Sequence, residues 1–202
     1  MTNEHNILPD DQSFHYLKEQ IAAGDQRAFR ELFDHYAEKL SRFAFSIVKN
    51  KEAALELVDE VFVKFWKQRV NVPAIQNLRT YLYTAVKNAA LNYLSIRARL
   101  QVTEPFDFIN IQLQDEGSPE QQLIAAEILK KIRAAVEELP PRCKMIFKLV
   151  REDNLKYREV AEILNLSINT VDAQMVIAVK RISEKVKAHF DFFPKGELKK
   201  KS

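Results

Sequence analysis

From Phe29 to Val48 the apolar residues return at steps of three and four, through Leu32, Phe33, Tyr36, Leu40, Phe43 and Ala44. That is the period of an α-helix burying one stripe, and a stripe of this kind must find another to cover it. The same period carries Leu55, Val58, Phe62, Phe65 and Trp66, and then Leu78, Tyr81, Leu82, Ala85, Ala89, Leu91 and Leu94. Helical spacing runs nearly throughout and Gly occurs only 3 times in 202 residues, so the chain is expected to be all-α.

The breaks in the period mark the organisation. The long first helix should begin near Asp25, just after Gly24, and end at Lys49-Asn50-Lys51. Pro73 interrupts Gln68 to Gln76, which reads as a loop, and a third helix should run from about Asn77 to Leu100. Residues 101–117 lose the helical period and hold Pro105 and Gly117. Ser118-Pro119-Glu120-Gln121 then offers an N-cap, Pro at the first helical position and Gln at the third. The helix of Leu123, Ile128, Ile132, Val136 and Leu139 should stop at Pro140-Pro141, and another carries Met145, Ile146, Leu149 and Val150. Two small helical domains are expected, over 1–100 and 118–190, joined by an acidic flexible linker over 101–117; a basic tail over 191–202 is expected to be disordered.

Within the second domain, Val160, Ala161, Ile163 and Leu164 form one stripe, and Val171, Met175, Ala178 and Ile182 another. Between them, Asn165 tolerates the left-handed conformation that ends a helix, Leu166 can plug the angle, and Ser167 can cap the next helix. That is a helix-turn-helix, and the pattern fits an ordinary αα corner as well as a DNA reader.

The formal net charge of +3 is unevenly spread. Residues 1–60 are acidic on balance, whereas Val61 to Thr103 holds seven basic residues (Lys64, Lys67, Arg69, Arg79, Lys87, Arg97, Arg99) and no acid. Glu104 to Leu129 holds six acids (Glu104, Asp107, Asp115, Glu116, Glu120, Glu127) and no base, and the remainder is basic again. Two basic blocks around an acidic connector point to a polyanionic partner. Tyr81, Tyr83 and Tyr93 lie among the cations of the third helix, with Asn88 and Asn92 one turn apart. Rings stack on bases, amides pair with base edges and cations neutralise phosphates, so this helix suits melted DNA; Tyr81 also fits the core.

Other chemistries find no residues to carry them. Cys143 is the single cysteine and reads as a small core residue, and the four His are too scattered for a metal site. No Gly-rich phosphate loop and no nucleophile with an evident base is present, so no cofactor and no catalytic residue is expected. Neither a membrane span nor a signal-peptide layout is visible, and a cytoplasmic location is expected.

GDQRAFRELFDHY, ELVDEVFVKFWK and LRTYLYTAVKNAALNYL, followed by LPPRCKMIFKLVREDNLKYREVAEILNLSINTVDAQ, together resemble the extracytoplasmic-function group of bacterial sigma-70 factors, which direct RNA polymerase to promoters. The resemblance covers about residues 15 to 188 and implies a region 2-like bundle and a region 4-like helix-turn-helix domain. It implies that Asp59 and Glu60 dock on the clamp helices of the polymerase's largest subunit, where without it they would read as a solvated face. It implies that the loop before the third helix and the helix itself capture a base flipped out of the -10 element, with Asn88 lining the pocket and Arg79, Lys87, Asn92, Arg97 and Arg99 on the same DNA. The connector would thread past the polymerase active site, its acids imitating RNA or serving only as a tether.

By the same resemblance the helix-turn-helix reads the -35 element as duplex. Ser167, Asn169, Thr170, Asp172, Ala173 and Gln174 would approach base edges, Lys180 and Arg181 phosphates, and Lys156 and Arg158 the flanking backbone. The chain departs from the family pattern, which usually has basic residues near 172 and 174, and Ile177 and Val179 stand where charges are frequent. Asp172 could accept from a cytosine amino group and Gln174 pair with adenine, or Asp172 could stabilise the first turn of its helix. The implied partners are RNA polymerase core, promoter DNA and an anti-sigma factor, often itself membrane-bound, with no membrane insertion of this chain. A stand-alone helix-turn-helix regulator with an N-terminal sensing or dimerisation domain is the alternative.

Overall fold

The computed structural model describes residues 11–100 and 122–190, with side chains over 15–98 and 129–187. The connector with its acids, the Ser118 cap, the side chains of Arg99, Leu123 and Ile128, and the basic tail lie outside the described residues. The chain divides into two compact units, Met1–Phe106 and Asp107–Ser202. All regular structure among the described residues is helical.

The first unit comprises α1 (Asp11–Ala22), α2 (Gln26–Val48), α3 (Lys51–Lys67), a 3-10 turn over Arg69–Ala74, and α4 (Leu78–Leu100). Helix α1 has no counterpart in the expectations from sequence. It ends at Gly24, whose φ of 93° lies in the left-handed region. The Gly24 N–H donates to the Ile21 carbonyl and the Asp25 N–H to that of Gln20, which satisfies two terminal carbonyls. Asp25 at once caps α2, its carboxylate accepting from the N–H groups of Arg27 at 2.7 Å and Ala28 at 3.3 Å. Lys49, left-handed at φ 56°, closes α2, and Asn50 caps α3 by accepting from Ala53 N–H at 2.8 Å. Pro73 does not leave residues 68–76 a loop: it lies inside the 3-10 turn, which is closed at its ends through the N–H groups of Asn71 and Ile75 and not through position 73.

The core of this unit lies between α2, α3 and α4. Phe62 is buried with its ring centroid 4.8 Å from that of Phe33 and 6.1 Å from that of Phe29, both edge-on, and Phe43 meets Tyr83 at 5.3 Å. Burying a ring of this kind contributes about 1.5–3 kcal/mol. On α3 the buried arc centres on Ala54, Val61 and Phe65, which turns Leu55 out to 47% exposure. Leu55 is therefore not part of the core stripe that its spacing suggested. Leu91 on α4 is likewise exposed, and Tyr81 lies at the core's margin.

The second unit comprises α5 (Gln122–Glu137), α6 (Pro141–Arg151), α7 (Tyr157–Leu164) and α8 (Ile168–Phe190). Helix α8 packs on α5, α6 and α7. Val136, Leu139, Cys143 and Ala178 form one buried cluster, closed by Ile132, Phe147 and Ile182. Burial pushes the Cys143 thiol above its ordinary pKa, and its Sγ lies 3.3 Å from the Gln174 carbonyl. Glu137 ties α5 to α6 through Lys148 at 2.7 Å and Lys144 at 3.0 Å. Burial alone would raise the Glu137 carboxyl, but hydrogen bonds from the two lysines hold it below its ordinary value. These groups are about a third exposed, so after solvent screening each pair contributes no more than about 1 kcal/mol.

Candidate nucleic-acid interface

The corner between α7 and α8 follows from three residues. Asn165 is left-handed at φ 53°, with its N–H donating to the Glu162 carbonyl at 3.3 Å and the Leu166 N–H to that of Ala161 at 2.8 Å. Leu166 is half-buried in the angle, and the Ser167 Oγ accepts from Thr170 N–H at 3.0 Å, capping α8. At the other end of α7, Glu159 is buried and accepts from Lys156 N–H at 2.8 Å, fixing the first turn. Val160, Ile163, Val171 and Met175 are buried where the two helices pack together.

Burying Val171, Met175 and Ala178 turns the opposite face of α8 to solvent. Its middle line is Asn169, Ala173, Val176 and Lys180, with Asp172 and Ile177 at its sides, all exposed. Gln174 and Thr170 are half-buried and, with exposed Arg181, lie on another side; Lys156 and Arg158 are exposed at the start of α7. Val176, 61% exposed, stands in the middle of the stripe, and sequence reasoning had not singled it out. Its signal was position, one turn beyond Asp172 and Ala173 on the face away from Met175. The first turn of α8 holds no acid, and Asp172 falls in the second turn. A helix dipole acts within the first turn, so the stabilising role considered for Asp172 has little field to act on.

On α4 the structure separates what the sequence put together. Tyr81, Asn88 and Asn92 share the exposed face, whereas Tyr83 is fully buried and Lys87 is buried with the core arc of Leu82, Val86 and Ala90. Lys87 is thus not on the amide face: its long aliphatic stem packs where an apolar residue would. Arg79 is half-buried on the core side, and exposed Arg97 donates to the Tyr93 hydroxyl at 3.3 Å. Burial, with Lys39 and Arg79 nearby, holds the His35 imidazole below its ordinary pKa, and Lys39 Nζ lies 3.3 Å from its Nε2. Asn77 caps α4, its side chain accepting from Thr80 N–H at 3.0 Å.

A different surface runs along α3. Asp59 is exposed with Leu55 one turn before it and Val63, 51% exposed, one turn after, while Glu60 pairs with Lys64 at 3.6 Å. Exposed apolar side chains beside a carboxylate are the residue types that protein partners cover. Leu55 and Val63 are the residues that sequence reasoning missed here, because their spacing continues the core stripe. Among the described residues no helix is long and apolar enough to cross a membrane.

Two family models match, in order, the two units: Sigma-70 region 2 over residues 32–100 and Sigma-70, region 4 over residues 129–182. The chain is 27% identical over 177 residues to the ECF RNA polymerase sigma-E factor of Escherichia coli (strain K12), covering 84% of this chain and 92% of that protein. With the sigma-E factor of Haemophilus influenzae it shares 25% over 178 residues, 84% and 93% of the two chains. Its fold is similar to that of CnrH, solved in complex with the cytosolic domain of CnrY, at TM-score 0.54 and 18% identity over 87% of this chain and 98% of that one. It is also similar to the sigma factor RpoE from Bartonella quintana, solved with the anti-sigma factor NepR, at TM-score 0.59 and 20% identity over 79% and 96%.

Proposed function

Since the chain belongs to the sigma-70 family, and within it to the extracytoplasmic-function group, we propose that its two units divide promoter recognition between them. Residues 1–100 bind core polymerase and recognise and melt the -10 element; residues 118–190 read the -35 element. The single observation that carries this is the order of the region 2 and region 4 matches on two units that each present an exposed stripe of the right chemistry. Asp59 and Glu60, flanked by Leu55 and Val63, dock on polymerase. The amide face of α4, Asn88 and Asn92 with Tyr81 beside them, takes the unstacked base, and Arg79, Arg97 and Arg99 lie along the strand. Flipping costs a few kcal/mol, which a pocket recovers only for the right base. Lys87, buried in the free protein, contributes there only if its ammonium emerges.

In the second unit Ser167, Asn169, Thr170, Asp172, Ala173 and Gln174 approach base edges in the major groove, and Lys156, Arg158, Lys180 and Arg181 hold phosphates. Four cations around a stripe of apolar and acidic side chains give a shallow salt dependence. The protein works in the cytoplasm beside polymerase, which supplies all catalysis, and an anti-sigma factor covers it until a signal arrives. The connector acids either imitate RNA charge in the polymerase or serve as a tether. Replacing them with Ser leaves abortive synthesis unchanged only in the second case.

Purified chain, core polymerase and a promoter library, with the transcripts sequenced, test the whole. Initiation at a restricted set of -35 and -10 sequences, dependent on both components, is expected. DNA binding without core and with no effect on initiation would favour the stand-alone regulator instead.

A further inference from the structure

The segment between α3 and α4, residues 68–77, carries the 3-10 turn Arg69–Ala74 and leads into α4. The turn is closed at its two ends by Asn71 N–H donating to the Gln68 carbonyl at 2.9 Å and Ile75 N–H donating to that of Val72 at 3.0 Å. Val70, Asn71, Gln76 and Asn77 are exposed, so the segment is open to a partner strand. Arg69 fastens its start to α3, donating to the Trp66 carbonyl at 3.3 Å, and the rest is covered by α1. That helix packs on the 3-10 turn, with Leu17, Ile21 and Val72 all buried. Lys18 Nζ donates to the Ile75 carbonyl at 2.9 Å, across 57 positions of sequence. Ile75 stands two residues before Asn77, which caps α4, so the bond fixes the point where the segment enters the amide-bearing helix. The residues matched by the region 2 model begin at 32, and α1 ends before them.

We propose that Lys18 is a positioning residue for base selection at the -10 element. By holding the Ile75 carbonyl it keeps segment 68–77 in the conformation from which the flipped base is chosen, and it touches no DNA itself. The inference rests on the reading that this segment and α4 capture that base. A half-buried ammonium bonded to a carbonyl is a charge-assisted contact, stronger than a neutral one. Without it the segment samples other conformations, the right base must reorder it on binding, and the wrong base meets less resistance.

The test uses holoenzyme assembled from core polymerase and full-length chain, with transcripts counted from a promoter library randomised over the -10 element. Lys18→Met keeps the aliphatic stem and removes the donor. Its preference for the favoured base at the captured position should fall about tenfold, with core affinity and -35 preference unchanged, and Lys18→Arg should keep most of the preference. Unchanged -10 preference in Lys18→Met overturns the proposal, and so does a uniform loss on all promoters that Lys18→Arg shares, since that marks a merely structural role. If Lys18→Met folds poorly, Lys18→Gln, too short to reach the carbonyl, makes the same comparison. Asn88→Ala is run beside them. If it relaxes -10 preference while Lys18→Met does not, only the role of Lys18 falls; if neither has any effect, the reading of α4 falls with it.

Discussion

Asp172 carries the most information for its size. It is exposed beside Asn169, Ala173 and Val176, beyond the turn in which a helix dipole would reward an acid. Facing bases, a carboxylate can only accept, which selects an amino group such as that of cytosine. Asp172→Arg replaces an acceptor with a two-pronged donor that favours guanine. It should shift preference at one position of the -35 element by about 1–3 kcal/mol, read by selection from a library randomised there. Uniformly tighter binding with the old preference would mean that Asp172 does not face the bases. Val176 complements it, since an apolar side chain in the middle of the stripe suits a thymine methyl and offers nothing to a phosphate.

At the scale of elements, the corners decide where faces point. Gly24 at φ 93° has only Arg69 Nε, 3.7 Å away, near the place a Cβ would take, so Gly24→Ala tests backbone strain without a clash. It should destabilise the first unit by about 1–2 kcal/mol, seen as a lower midpoint in thermal unfolding of the full chain. An unchanged midpoint would mean that the corner relaxes without consequence. The α7–α8 corner was legible in the sequence residue by residue, because left-handed Asn165, plugging Leu166 and capping Ser167 each require a particular residue type. Helix α1 was not, because among its described side chains only Leu17 and Ile21 are buried, although Gly24 followed by Asp25 reads equally as the end of one helix and the start of another. The period also failed to centre the stripes. Ala53 and Ala54 draw the buried arc of α3 away from Leu55, and the stem of Lys87 takes an apolar place in α4; both are tertiary choices that no local pattern encodes. Asp59, Glu60, Asn88 and Asn92, all exposed, were named from sequence as site residues, whereas the exposed apolar residues Leu55, Val63 and Val176 were not, since an exposed apolar residue looks like a core residue until the core is known.

For the whole molecule, acid should act on the two units in turn. His35 is held below its ordinary pKa of 6.5 by burial and then by Lys39 and Arg79. The unfolded chain therefore takes up this proton before the folded one does, and first-unit stability, full above that value, is lost as pH falls from it through the folded value. Glu137 is held below 4.5 by its lysines, so its contribution persists above that pH and is lost only as pH falls through its lower folded value. Thermal unfolding from about pH 7.5 to 4 should show the first unit weakening before the second, and His35→Gln should flatten the early step. Simultaneous loss in both units, or an early step that survives His35→Gln, would contradict this. The tight corners have a further consequence, for the time course of synthesis. Helices α1 and α2, α2 and α3, and α7 and α8 are joined by two or three residues, and contacts so close in sequence form quickly. On the ribosome the first unit, its α3 stripe included, can finish folding while the second is still being translated. If the first unit docks and the second reads the duplex, as proposed, polymerase would then meet a nascent chain able to do the one before the other. Within that unit the bond from Lys18 to Ile75 spans 57 positions, so the seating of α1 is the step that waits longest.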